Sequence, residues 1–309
     1  MFTVFIDQFW QLTISGIALG FIYVLIALGY TMVYGVLRMI NFANSEIFMW
    51  GTFGAIVASR DLFGYNQTSE PVTGAKLALV LFVQLFASMA FAGITAVVVE
   101  FIAYRRLRAR GTNRLATLIS AIGMSMVLSE TMRLLTASRP VGSPRILDKI
   151  ILVEVWGAQI RLDTLITIVA AGAIFIILER FVKLSRMGKA IRAVSMNEDA
   201  AKLMGINLNR VITTTFLVGG LATGAAGFFY VTVYEYTKFN IGFTMGLAAF
   251  TAAVLGGIGN IRGAFFGGVA LGLAEVYASA ILGTQWKSVT IFVVLVLVLL
   301  FKPDRKSVV

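Results

Sequence analysis

This sequence of 309 residues predicts an all-α, polytopic membrane protein with about eight to nine transmembrane or re-entrant helices. Three observations predict it. Hydrophobic residues make up 59% of the chain and charged residues only 13%, where a soluble domain carries roughly 25% charged residues. The apolar residues fall in repeated runs, many near the roughly 20 residues a helix needs to cross a bilayer. The basic residues gather in short segments between those runs.

Taken in order, the runs are Phe9 to Val36, a short one from Ile47 to Ser59, Leu77 to Ile102, and Leu115 to Leu135, which is weakened by Ser120, Ser125, Ser129 and Glu130. Leu165 to Leu178 and Val211 to Tyr230 follow. Ile241 to Leu255 and Gly263 to Leu282 flank a glycine-rich break, and Val289 to Phe301 closes the set. The whole of 1–309 reads as a single transmembrane domain, because no stretch outside the runs is long enough for an independent core. The N-terminal MFTVFIDQFW has no basic region and no small-residue cleavage site, so no signal peptide is expected.

Lys and Arg bias sets the orientation. Arg105, Arg106, Arg108, Arg110 and Arg114 form one cluster; Arg180, Lys183, Arg186, Lys189 and Arg192 form a second; Lys302, Arg305 and Lys306 form a third. All three are expected in the cytoplasm, and the charge-balanced loop from Arg60 to Lys76 outside. Nine crossings then put the N-terminus outside, and eight put it inside. Residues 136–163 form the largest outer loop. Two apolar strands around Trp156-Gly157 suggest a small hairpin; an interfacial helix with Trp156 at the headgroups is the alternative.

The net charge of +11 comes from 26 Lys+Arg against 15 Asp+Glu. In a soluble protein it would suggest nucleic acid. Its placement between apolar runs marks cytoplasmic loops instead, so no nucleic-acid partner is expected. The sequence has no Cys and no His. Disulfides, thiolate or imidazole metal ligation, and Ser–His or Cys–His catalysis are thereby excluded. A metal site is not expected, nor a catalytic one. No phosphate-binding loop occurs either, since Gly188-Lys189 lacks the upstream glycine and is followed by alanine. Any energy source must lie in another chain.

Several features bear on transport. Gly16/Gly20, Gly220/Gly224, Gly263/Gly267 and Gly268/Gly272 each put two small residues on one helix face. Close helix contact in lipid uses that spacing, and packing within the chain is favoured over a subunit seam. Val254 to Asn260, with Gly256, Gly257 and Gly259, interrupts an apolar run. It is either an unwound helix lining a substrate path or a short cytoplasmic turn. Ionisable residues within spans are expensive and mark pathways; the candidates are Glu46, Glu130, Glu235 and Glu275, while Glu100 is expected to partner the arginine cluster. Residues 185–210 carry apolar faces on basic, polar helices, with a helix start at Asn197 and a stop at Gly205. Docking of a soluble partner suits this composition, and a membrane-surface helix is the alternative.

Three ordered motifs spread along the chain resemble the permease subunit of branched-chain amino-acid ABC importers of the LivH type. They are Gly29-Tyr30-Thr31-Met32-Val33-Tyr34-Gly35 with Met39 to Ala43 and Glu46; Ser185 to Ala190 through Ala193 with Gly205-Ile206-Asn207; and Phe250 to Asn260 with Gly263-Ala264. The family often has His-Gly where this chain has Asn44-Ser45, and Pro where it has Arg262. The resemblance implies a bacterial inner-membrane, multi-pass transport subunit. It also implies a second homologous permease in a heterodimer, two cytoplasmic ABC ATPase subunits that use ATP and Mg, a periplasmic or extracellular substrate-binding protein, and alternating access for branched-chain or other neutral amino acids. No cofactor is expected in this chain. Together these readings set the translocation path on Tyr34, Asn41, Asn44, Glu46, Gly256, Gly257, Asn260 and Glu275. They set ATPase coupling on Arg186, Gly188, Lys189, Arg192, Asn197, Ala200 and Gly205. The competing reading is a stand-alone secondary carrier or channel for small polar solutes.

Overall fold

The computed structural model describes residues 8–111, 114–155 and 157–301. Trp156 and the basic tail residues Lys302, Arg305 and Lys306 lie outside the described residues. The helices are α1 (Phe9–Leu37), α2 (Asn44–Val57, continued by a π-helical turn Ala58–Leu62) and α3 (Gly74–Val99, carried by a π-helical turn to Ala109). α4 (Arg114–Leu135), α5 (Leu162–Leu184), α6 (Arg186–Met196), α7 (Glu198–Leu203) and α8 (Leu208–Tyr234) follow, then α9 (Ile241–Gly256), α10 (Ile261–Leu282) and α11 (Lys287–Phe301). Among the described residues seven helices are long and apolar enough to cross a membrane. α2 and α9 are shorter, at 14 and 16 residues.

α1 and α8 form the centre. Both are apolar around most of their circumference, and such a helix is stable only when surrounded. Val24, Leu25, Ile26, Ala27 and Leu28 of α1 are fully buried, as are Ala222, Ala225 and Phe229 of α8. α3, α4, α5 and α11 surround the centre and turn large apolar side chains outward, such as Phe82, Met126, Ile177 and Phe292. In lipid these exposed residues need no further partner.

The small-residue pairs pack within the chain. Gly16 and Gly20 of α1 meet Gly268 and Gly272 of α10; a Cβ on Gly20 would lie 2.8 Å from Val269 Cα. Gly220 and Gly224 of α8 meet α3, where a Cβ on Gly224 would lie 2.6 Å from the Ser88 carbonyl. The Ser88 hydroxyl bridges the carbonyls of Gly224 and Gly51 at 2.6 and 2.8 Å, tying α3, α8 and α2 together. Gly263 and Gly267 pack on Gly256 and Ala252 of α9.

Contacts between loops define two faces. On one, Arg38 reaches the carbonyls of Ser195 and Met196, Arg108 donates to Asn209 at 2.8 Å, and Arg262 pairs with Glu179. On the other, Arg60 donates to the Gly142 carbonyl, Lys149 pairs with Glu235, and Gln159 N–H donates to Gln11 at 2.8 Å. The clusters at 105–111 and 180–192 thus share one face, and the loop 60–76 lies on the opposite one beside the start of α1. The positive-inside bias predicts that the first face is the cytoplasmic one, and the two faces are named by that expectation. At the outer face β1 (Val141–Gly142) pairs with β4 (Tyr236–Thr237), and β2 (Ile151–Val155) pairs antiparallel with β3 (Ala158–Arg161).

Candidate functional site

α1 ends at Arg38, which adopts a left-handed conformation (φ 50) and returns its N–H to the Tyr34 carbonyl at 2.7 Å. The chain then folds back into the protein. Asn41 Oδ1 accepts from Ala43 N–H at 3.1 Å and from the Tyr104 hydroxyl at 3.0 Å, fixing the turn from which α2 starts. α2 begins at mid-depth: Asn44 Nδ2 donates to the Ile26 carbonyl, near the middle of α1, and the Thr223 hydroxyl donates to Asn44 Oδ1 at 3.4 Å. Gly29 makes room for this, since a Cβ there would sit 2.8 Å from Asn44 Oδ1. Glu46 lies in the first turn of α2, where the helix dipole favours a negative charge. It is 3% exposed, its Oε2 has no hydrogen-bond partner among the described residues, and it rests on Gly242 of α9.

Two cavities flank this midsection. The inner one, of about 500 Å³, is lined by Thr31 and Gly35 of α1, Glu179 of α5, Arg192 of α6, and Asn260 and Arg262 at the start of α10. The outer one, of about 260 Å³, is lined by Tyr23 of α1, Tyr230 and Tyr234 of α8, Glu275 of α10 and Lys287 of α11. On α1 the nearest lining residues, Tyr23 and Thr31, are about 12 Å apart at the helical rise of 1.5 Å per residue. The fully buried Val24 to Leu28 lie between them.

The expected pathway residues thus fall at three levels. Glu275 lines the outer cavity. Asn41, Asn44 and Glu46 are buried among α1, α2, α3, α8 and α9 and line neither cavity. Asn260 lines the inner cavity, and Tyr34 lies beside the break, 3.8 Å from where a Cβ on Gly259 would be. The glycine break itself is a short turn at the cytoplasmic end. Gly257 (φ 90) and Gly259 (φ 93) take backbone angles that side chains resist. Asn260 caps α10 by accepting from Arg262 and Gly263 N–H at 3.1 and 3.2 Å. Gly256 is set aside from the cavity, packed against Gly263. Of the other acids, Glu130 pairs with Arg133 on the exposed side of α4. Glu235 ends α8 and pairs with Lys149 and Arg145. Glu100 is fully buried and pairs with Arg108, its other oxygen accepting from Thr213.

The segment 185–210 folds as two short helices on the face that carries the basic clusters. Ser185 Oγ accepts from Gly188 N–H at 2.8 Å and starts α6. Gly188 packs against the Val182 and Phe181 carbonyls at the end of α5, where a Cβ has no room. α6 buries Ile191 and Val194, and Arg192 donates to the Lys183 carbonyl at 3.1 Å. Asn197 Oδ1 accepts from Asp199 and Ala200 N–H at 3.0 Å and starts α7; Gly205 (φ 79) lies just past its end. Hydrogen bonds to Glu198 and then to Asp199 hold the Lys202 ammonium above the usual lysine range. Met196, Leu203 and Met204 are left exposed beside these charges.

Several residues at these places escape a sequence reading. Arg38 ties α1 to α6, and Glu179 pairs with Arg262 across the inner cavity. Tyr23, Tyr230, Tyr236 and Lys238 gather at the outer cavity. The alternation of Tyr234, Tyr236 and Lys238 after a long span was the one local signal for that cluster.

The model of the family described as branched-chain amino acid transport system / permease component matches residues 12–299. The chain is 39% identical over 300 residues to the high-affinity branched-chain amino acid transport system permease protein LivH of Escherichia coli (strain K12), covering 96% of this chain and 94% of that one. It is 37% identical over 301 residues to the permease protein BraD of Pseudomonas aeruginosa, covering 96% and 95%. Among solved structures, PsaBC from Streptococcus pneumoniae in complex with Fab superposes with a TM-score of 0.50 at 13% identity, covering 99% of this chain and 98% of that one. At that identity the likeness concerns the fold alone.

Proposed function

Because this chain belongs to the branched-chain amino acid transport permease family, we propose that its 309 residues form one transmembrane permease domain, half of the pathway of an ATP-driven importer. It is a multi-pass membrane transport subunit and not an enzyme. It works with ATPase and substrate-binding subunits. The finer assembly is a heterodimer with a second, homologous permease, two cytoplasmic ATPases that bind ATP and Mg, and a binding protein outside. The cargo is a neutral amino acid, branched-chain preferred.

The observation that carries this reading is the pair of cavities along α1, separated by a packed midsection. A pathway that is never open from end to end is what alternating access requires. α6 is both a wall of the inner cavity and the start of the exposed cytoplasmic segment, so a partner that moves α6 changes the cavity directly. Arg38 and Arg192 transmit that movement to α1 and α5 through their hydrogen bonds to backbone carbonyls. Arg186, Gly188, Lys189, Arg192, Asn197, Ala200 and Gly205 are the coupling residues; some present charge and some hold the fold of the elbow. A loaded binding protein meets the outer loops, including residues 139–161. Tyr34, Asn41, Asn44, Glu46, Gly256, Gly257, Asn260 and Glu275 mark the path, with the buried asparagines and Glu46 forming its seal.

Reconstitution in proteoliposomes tests this. ATP-driven leucine uptake should require this chain, the second permease, the ATPases and the binding protein together. Lys189→Glu with Arg192→Glu should abolish uptake while leaving assembly intact. Leucine uptake by this chain alone would overturn the reading in favour of a stand-alone carrier, and unchanged uptake in the double variant would overturn the coupling assignment.

A further inference from the structure

We propose that the outer cavity among α1, α8, α10 and α11 binds a free α-amino acid as its zwitterion, with Glu275 taking the ammonium group, Lys238 and Lys287 the carboxylate, and Leu19, Met245 and Ile291 the side chain. The assignment rests on the permease reading and adds where this chain itself recognises its cargo.

Glu275 is 4% exposed. A carboxylate buried that far is tolerated only when paired and hydrogen-bonded. Its Oε2 accepts from the Tyr23 hydroxyl at 2.6 Å. Its Oε1 has a single cation within ion-pair range among the described residues, Lys287 at 3.9 Å, too far for a direct hydrogen bond. Room therefore remains for a donor-rich cation at Oε1, and a primary ammonium brings three N–H groups. The neighbouring rings favour the same ligand. Tyr230 and Tyr234 stack at 4.6 Å, Tyr236 stands edge-on to Tyr230 at 6.1 Å, and all three line the cavity. Ring faces attract a cation within about 6 Å.

The charge balance calls for an anion as well. One carboxylate faces two lysines, and Lys238 makes no ion pair among the described residues. A carboxylate on the ligand answers the surplus lysine charge, and an ammonium on the same ligand fills the open place at Glu275 Oε1, which an acid alone leaves with Lys287 at 3.9 Å. The cavity of about 260 Å³ is just below the roughly 300–1,000 Å³ of pockets that take drug-sized molecules. A single amino acid suits it, and Leu19, Met245 and Ile291 give it an apolar wall.

The test uses the assembled importer in lipid nanodiscs, without binding protein or ATP, and measures saturable binding of tritiated L-leucine. Wild-type complex should bind leucine, and isoamylamine or 4-methylpentanoate should compete far less well than unlabelled leucine. Glu275→Gln keeps the shape and should weaken leucine binding roughly tenfold or more, as loss of a charge-assisted hydrogen bond implies. Lys238→Met should weaken it as well while leaving isoamylamine binding unchanged. Glu130→Gln, on the exposed side of α4, should bind as wild type does. A wild-type complex that imports leucine with its binding protein but binds none without it overturns the proposal, as does undiminished affinity in Glu275→Gln. If Glu275→Gln fails to assemble, undiminished affinity in Lys238→Met overturns it. Absence of ATP-driven import by the wild-type complex would instead count against the permease reading itself.

Discussion

Gly20→Ala puts a methyl group where α1 and α10 touch backbone to backbone. The new Cβ would lie 2.8 Å from Val269 Cα and 3.1 Å from the Gly268 carbonyl oxygen. Carbon atoms rest about 3.5–4.0 Å apart, so the helices must separate locally by roughly 1 Å. Neither obstacle is a flexible side chain that could swing aside. Overpacking of this kind destabilises by about 1–3 kcal/mol. The facing residue Gly272 meets the same seam, a Cβ there lying 2.5 Å from Gly20 Cα. Once one methyl has pushed the helices apart, the second adds less, so the double variant Gly20→Ala, Gly272→Ala should fall short of the sum by about 0.5 kcal/mol or more. Gly123→Ala is the control. It lies within α4, where a Cβ meets nothing within 4 Å, and it should leave stability unchanged or raise it. Equilibrium unfolding in mixed micelles with increasing SDS gives all four values. Equal effects at Gly20 and Gly123, or strict additivity of the facing pair, would refute the view that the small-residue spacing packs α1 on α10 within one chain.

Glu46→Gln should stabilise the protein or leave it unchanged, because an unpartnered buried carboxylate oxygen is replaced by a neutral amide; a lower midpoint of thermal unfolding in detergent would contradict this. Arg108→Ala leaves Glu100 buried and unpaired and should destabilise by about 3–5 kcal/mol, measured in the same SDS titration. Arg38→Ala removes both contacts to the end of α6; uptake per ATP hydrolysed in proteoliposomes should fall several-fold, and an unchanged ratio would remove Arg38 from the coupling. Asn197→Ala should weaken the start of α7 by about 1 kcal/mol, read as faster amide exchange confined to residues 198–203.

The membrane elements were legible because burial in lipid demands long apolar helices whatever their neighbours are. The basic clusters told the faces apart for a similar reason, since charge placement is a property of single loops. Glu100 could be assigned to the arginine cluster because Arg108 is only two turns away in the chain. Glu46 and Glu275 look alike in sequence, yet one is sealed in the midsection beside Gly242 and the other lines a cavity with Tyr23. Nothing local distinguishes them. The glycine break allowed either an unwound pathway helix or a turn; its short length and the Asn260 cap make it a turn at the mouth of the inner cavity.

By itself, then, the sequence determined that this chain lies in a membrane, which loops carry the basic clusters, which glycines allow close helix contact, and that no thiolate or imidazole chemistry can be built from its side chains. Those properties follow from composition and from spacing within one helix. Only the tertiary structure decided that α1 and α8 are central, that α2 starts at mid-depth against Ile26 and Thr223, and that two cavities flank a packed seal. Each of these depends on residues far apart in the chain, such as Tyr23 with Glu275 or Arg38 with Ser195. Their meeting is set by which helix faces pack together, and that choice is made by the summed contacts of the whole bundle.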